Sequence, residues 1–228
     1  MTTTELPTRR PLRRTLRGTG LVLMVAGLAI LGYVGWQLFG TTWVSHREQH
    51  RIIDATERVW AGGKTSAKDV ELAKGVVALV RIPALGKDYV VPAHRGTDDA
   101  TLSKGFGVFG TSPEPGGRGN FALAGHRITH GEPLRGMPGL EAGDQVLVQT
   151  RDTTYTYVLD TDGDALTVDM DAGWVTEDNP VDPRTGRDTA SQAGSRRLLT
   201  LVTCAELFHT DNRLVAFGHL VSEEPTGG

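Results

Sequence analysis

The chain has 228 residues, of which 39% are hydrophobic and 22% charged, and its formal net charge is −3. That balance excludes a disordered chain and a bundle of membrane helices, and the length admits one substantial domain with appendages. Arg9, Arg10, Arg13, Arg14 and Arg17 precede residue 21 against only Glu5, so the remainder is acidic and argues against nucleic acid as the principal partner.

Residues 21–39, LVLMVAGLAILGYVGWQLF, carry no charge. As a helix rising about 1.5 Å per residue, this run spans roughly 28 Å, close to the hydrocarbon thickness of a bilayer. Tyr33 and Trp36 lie toward its outer end, where amphipathic rings favour the interface. The basic tail 1–20 should stay in the cytoplasm and place everything after residue 40 outside. A cleaved signal peptide would have a shorter apolar stretch and an A-x-A-like exit, and a buried core helix would show a polar face. The expectation is therefore a single-pass cell-membrane protein with an extracytoplasmic body.

Residues 40–75 read as a stalk and linker. Within them 45–61 predict a helix, with Ser45 and Glu48 spaced as a capping box and Gly62–Gly63 as the stop. Ile52, Ile53, Val59 and Trp60 form its apolar stripe, and GGKTSAKD after it reads as a hinge. His46 and His50 are four apart and could share a metal, but no third ligand is evident, so a solvated helix face is the better reading.

From residue 76 the periodicity becomes that of strands. VVALVRIP, DYVVP, NFALAGH, QVLVQT, TYTYVLD, ALTVD, RLLTLVT and RLVAFGHLV are short β-rich runs separated by turns. About eight strands in roughly 145 residues predict a mainly β, closed eight-stranded barrel or a sandwich. TDDATLSKG suggests one short helix, and HGEPLRGMPGL a connection. The longest polar stretch, 182–196, precedes the strand that leads to Cys204. DTDGD at 160–164 matches no register of a calcium-binding loop and reads as a turn.

Three residues that could do chemistry sit at strand ends: His126, Cys204 and Arg213. Cys204 is the single cysteine, so it forms no internal disulfide and no multi-cysteine zinc site. A thiol with a reference pKa of about 8.5 becomes a useful nucleophile when cations raise its thiolate fraction. An imidazole beside it can supply an acid, and a guanidinium can stabilise an oxyanion but cannot act as a base. Taken singly, a structural histidine, a buried inert thiol and a rim arginine are the commoner roles. Periodicity does not bring the three together. His130, His209 and His219 are further candidates for modulating such a site.

LAGHR (123–127), TLVTC (200–204) and RLVAFGHL (213–220) resemble the three signature segments of the sortases, membrane-anchored cysteine transpeptidases. The likeness covers roughly 76–223, leaving 224–228 as a tail, and GVFGTSPEPGGRGNFALAGHR is similar to the family's approach to its histidine. It is most similar to class E, with class D second. Val108–Phe109 departs from the pattern and implies a changed pocket wall.

The resemblance implies that Cys204 attacks the Thr–Gly carbonyl of an LPxTG-like or LAxTG-like sorting signal, LAxTG being preferred. It implies that His126 protonates the leaving amine and Arg213 stabilises the oxyanion. Thr203, Leu123 and Ala124 would contact substrate, and the stretch 171–195 would form the loop that selects upstream residues. The implied partners are secreted proteins bearing the signal and an amine of peptidoglycan or its lipid-linked precursor, with no cofactor and no metal. Papain-like hydrolases place cysteine before histidine, the reverse of this order. A pilus-polymerising sortase and a non-catalytic anchored barrel that binds a cell-wall ligand are the alternatives.

Overall fold

A computed structural model describes residues 10–36, 41–186, 196–204 and 211–226. The chain divides into two units, 1–40 and 41–228. The first contains helix α1, Arg10–Gly35, in which Gly18–Gly35 is long and apolar enough to cross a membrane. Its large side chains, Leu21, Leu28 and Leu31 among them, are exposed all round, as lipid would require. The helix starts within the arginine-rich tail, and residues 37–39 of the expected span lie outside the described residues.

The second unit opens with α2, Thr41–Trp60, and α3, Ala67–Ala73. Ser45 lies a turn inside α2 and is buried, so it is not the expected cap. The capping box falls instead in the expected hinge: Ser66 and Asp69 bond reciprocally at the start of α3. Arg58 on α2 meets Asp69 at 2.7 Å, which holds that carboxyl down to about 2. Ser45, Gln49, Ile52, Ile53 and Thr56 make the buried stripe of α2. The helix packs on the barrel at β2, and Glu57 pairs with Arg81 at 3.1 Å.

The barrel strands are β1 (Val76–Arg81), β2 (Val91–Arg95), β3 (Phe106–Val108), β4 (Gly119–Ala124), β5 (Gln145–Gln149), β6 (Thr153–Leu159), β8 (Arg197–Cys204) and β9 (Asn212–Pro225). A four-residue helix, α4 (Asp99–Leu102), precedes β3. The ring order is β6-β5-β1-β2-β3-β4-β8-β9, closed by β9 on β6. Closure removes the exposed sheet edges that an open β-sheet would leave. Strand β7 (Leu166–Asp169) lies outside the ring, paired only with the first residues of β9.

Eight strands do close the barrel, but the set differs from the sequence reading by one exchange. The run ALTVD forms the extra-annular β7, and the missing ring member is β3. That strand has three residues around Gly107, where an added Cβ would lie 2.4 Å from the Gly96 carbonyl oxygen. A side chain is excluded there, so no alternating pattern marks the strand in the sequence.

Alternation along the strands sorts two clusters. Phe106, Phe121, Leu199, Leu201, Leu214 and Ala216 fill the barrel with Val146, Val148 and Tyr157. On the outer face of β8 and β9, Val202, Val215 and Phe217 pack with Val175, Leu166, Val168 and Trp174. The segment from β7 to the 3-10 turn Gly173–Thr176 is thus an arm lying on the barrel wall. Asn120 fastens it: the buried amide donates to Val175 and Glu177 carbonyl oxygens at 3.0 and 3.1 Å and accepts from the Thr200 hydroxyl at 2.8 Å.

Candidate active site

Strands β4 and β8 run parallel, from Gly119 opposite Arg197 to Ala124 opposite Val202. The pairing continues one step beyond the strand, because Gly125 N–H donates to the Val202 carbonyl oxygen at 3.1 Å. Thr203 closes the joint, its hydroxyl donating to the Gly125 carbonyl oxygen at 2.8 Å. His126 therefore leaves β4 where β8 ends at Cys204. Across the next ladder Cys204 stands opposite Arg213 in the antiparallel pairing of β8 with β9. Backbone register alone thus gathers His126, Cys204 and Arg213 at one end of three adjacent strands.

A cavity of about 440 Å³ opens there, lined by His126, Arg213, Thr203 and Ala124 together with Phe109, Asp99 and the arm residues Val168, Asp169 and Val175. Its walls are mixed, with Phe109, Val168 and Val175 apolar and Asp99, His126, Asp169 and Arg213 polar. The His126 imidazole is held below the ordinary histidine value, first by burial and then by the neighbouring His130, with Asp99 opposing them. The ring is thereby kept toward its neutral form. Its Nε2 is buried and has no hydrogen-bond partner among the described residues.

Ala124 and Thr203 line the cavity, whereas Leu123 does not. Leu123 is fully buried in the barrel core, because period-two alternation turns it inward when Ala124 faces out. The expectation of a substrate contact at Leu123 is corrected accordingly. The departure at 108–109 divides in the same way: Phe109 is cavity wall and Val108 is core. Of the stretch 171–195, Ala172, Gly173, Val175 and Thr176 reach the cavity, while 187–195 and His209 lie outside the described residues. His219 pairs with Asp160 at 2.8 Å, and Asp162 accepts Ala142 N–H at 2.8 Å, so these acids of the DTDGD turn are engaged within the barrel.

Sequence reasoning missed Asp99, the arm residues of β7 and the tether Asn120. Asn120 had a signal, being the asparagine of the GN pair leading to LAGHR. Among the described residues no group of three or more His, Cys, Asp or Glu is placed to hold a metal ion.

A sortase domain model matches residues 80–221. Sortase SrtE1 of Streptomyces coelicolor is 33% identical over 218 residues, covering 92% of this chain and 58% of that relative, so the chain spans little more than half of its length. The solved structure of sortase E from Streptomyces avermitilis superposes with a TM-score of 0.55 at 34% identity, over 66% of this chain and 90% of that one. Sortase E1 of Streptomyces coelicolor, solved with a tripeptide in its active site, gives 0.52 at 30% identity over 66% and 90%. Because the sortase domain model matches residues 80–221, more than half of the chain, the chain belongs to the sortase family.

Proposed function

We propose that this protein is a cysteine transpeptidase that cleaves an LAxTG-like sorting signal between Thr and Gly and passes the acyl group to a cell-wall amine. One observation carries the reading: the β4–β8–β9 register that sets Cys204 opposite Arg213 and the Gly125–His126 corner beside them. The Cys204 thiol passes its proton to the neutral His126 imidazole as the sulfur attacks the Thr carbonyl carbon, and Arg213 stabilises the oxyanion at the mouth of the cavity. As the tetrahedral adduct collapses, the C–N bond breaks and His126 gives its proton to the leaving glycine amine. The incoming amine then attacks the thioester, His126 takes its proton, and the Cys204 sulfur leaves and recovers that proton from His126. The thioester conserves the free energy of the cleaved bond, so no nucleotide is consumed.

The peptide-sized cavity supports this reading, as does the tripeptide in the active site of the Streptomyces coelicolor relative. The apolar α1 supports a membrane anchor, with the basic tail inside and the barrel outside facing peptidoglycan precursors. Cleavage of LAxTG and LPxTG peptides by the detergent-solubilised full chain, with several amines present, tests the proposal. Faster acylation by LAxTG and an amine-dependent product are expected. Equal rates for the two peptides would remove the alanine preference, and no cleavage of either would remove the function.

A further inference from the structure

The chain between His126 and Leu134 is a loop closed on itself. Leu134 N–H donates to the His126 carbonyl oxygen at 3.0 Å, so the loop begins and ends at the histidine. Two clamps from other elements grip it. The Tyr89 hydroxyl donates to the Pro133 carbonyl oxygen at 2.6 Å, and the buried Gln49 of α2 donates to the His130 carbonyl oxygen at 3.2 Å. Gln49 lies so close over Gly131 that an added Cβ would sit 2.7 Å from its nitrogen. Inside this frame His130 has φ of 53°, a left-handed conformation that a side-chain-bearing residue keeps only when its surroundings impose it.

The imposed conformation has one visible result. The His130 ring stands 5.0 Å from the His126 ring, tilted by 32°. His130 Nδ1 is buried without a hydrogen-bond partner among the described residues, so that nitrogen does not hold the ring in place. The backbone frame fixes the main chain from which the ring projects.

We propose that His130 is a positioning residue for His126: its ring, held from behind by α2 through Gln49, forms a fixed wall that keeps the His126 imidazole in the cavity and discourages its protonation. This rests on the reading of His126 as the proton-transferring group. Asp99 at the start of α4 favours the charged form of His126 and His130 opposes it, while Asp169 of β7 and Arg213 of β9 line the same cavity. Of these, His130 alone contributes a ring packed against His126 among the described residues.

The test uses the full chain in detergent with an LAxTG peptide. His130→Ala should lower kcat about tenfold while KM stays within twofold, because orientation and not peptide binding is lost. His130→Phe keeps a ring and removes the imidazole nitrogens, so it should recover most of the rate and raise the titration midpoint of His126 followed by NMR. An unchanged rate in His130→Ala, a His130→Phe variant as slow as the alanine one, or an unmoved His126 midpoint would each overturn the proposal. His126→Ala separates the two levels. Full activity in that variant would reject the assigned role of His126, whereas its inactivity beside an indifferent His130 would reject only the positioning role.

Discussion

The Thr203 hydroxyl donates to the Gly125 carbonyl oxygen at 2.8 Å, so the residue before Cys204 is bonded to the residue before His126. Together with the Gly125 N–H bond to the Val202 carbonyl oxygen at 3.1 Å, it joins the ends of two parallel strands and sets the spacing of the proposed nucleophile and proton donor. Thr203→Val keeps the shape and leaves a buried carbonyl unpaired, a loss of about 1–3 kcal/mol. It should also lower kcat more than it raises KM, and Thr203→Ser should restore both stability and rate. Urea denaturation with steady-state cleavage checks this. A valine variant as stable and as fast as wild type would show that the bond is idle.

Arg213 faces Cys204 across the β8–β9 ladder and lines the same cavity as His126. An ammonium in its place keeps the charge but loses the planar fork, so Arg213→Lys should lose at least about tenfold in kcat/KM. Wild-type turnover in that variant would take Arg213 out of the proposed catalytic set.

Asn120 makes three hydrogen bonds, two to the arm and one to Thr200 of the barrel, that hold the arm against the barrel. Asn120→Ala frees two carbonyl groups and a hydroxyl and should destabilise the fold by about 3 kcal/mol. Because the arm forms one cavity wall, KM for the sorting peptide should rise as well. A KM unchanged in the folded variant would mean that the arm keeps its position without this tether.

The limits of the sequence reading follow from the same contacts. The barrel, the long apolar helix and the three strand-end residues were legible because apolar alternation and a charge-free run are local signals. Strand β3 was not, since Gly107 is dictated by the backbone of Gly96, which packs against it only in the fold. Leu123 and Ala124 are adjacent in one motif, yet the pleat sends one into the core and the other to the cavity. The true capping box at Ser66–Asp69 was hidden in a segment rich in glycine and lysine, whereas Ser45–Glu48 had the right spacing in the interior of a helix. Gln49 and Asn120 act through long-range backbone acceptors that spacing does not reveal.

Acidification provides a stability test. Burial pushes both His94 and His126 below the ordinary histidine value of 6.5. As pH falls through that value the unfolded chain takes up protons that the folded imidazoles refuse, so stability is lost toward acid and regained toward neutrality. The urea midpoint should fall between about pH 7.5 and 5.5, and His94→Gln should shrink the fall. An equal fall in both proteins would show that His94 is not a source of the slope.

The most direct measurement is intact-protein mass spectrometry of an acid-quenched reaction between the detergent-solubilised chain and an LAxTG peptide without an acceptor amine. The expected result is a single adduct with the mass of the peptide up to its threonine, located on Cys204, released by hydroxylamine, and absent from a Cys204→Ala variant of unchanged thermal stability. Peptide cleavage that leaves no adduct on Cys204, or that persists in the alanine variant, would contradict a thioester pathway through this residue.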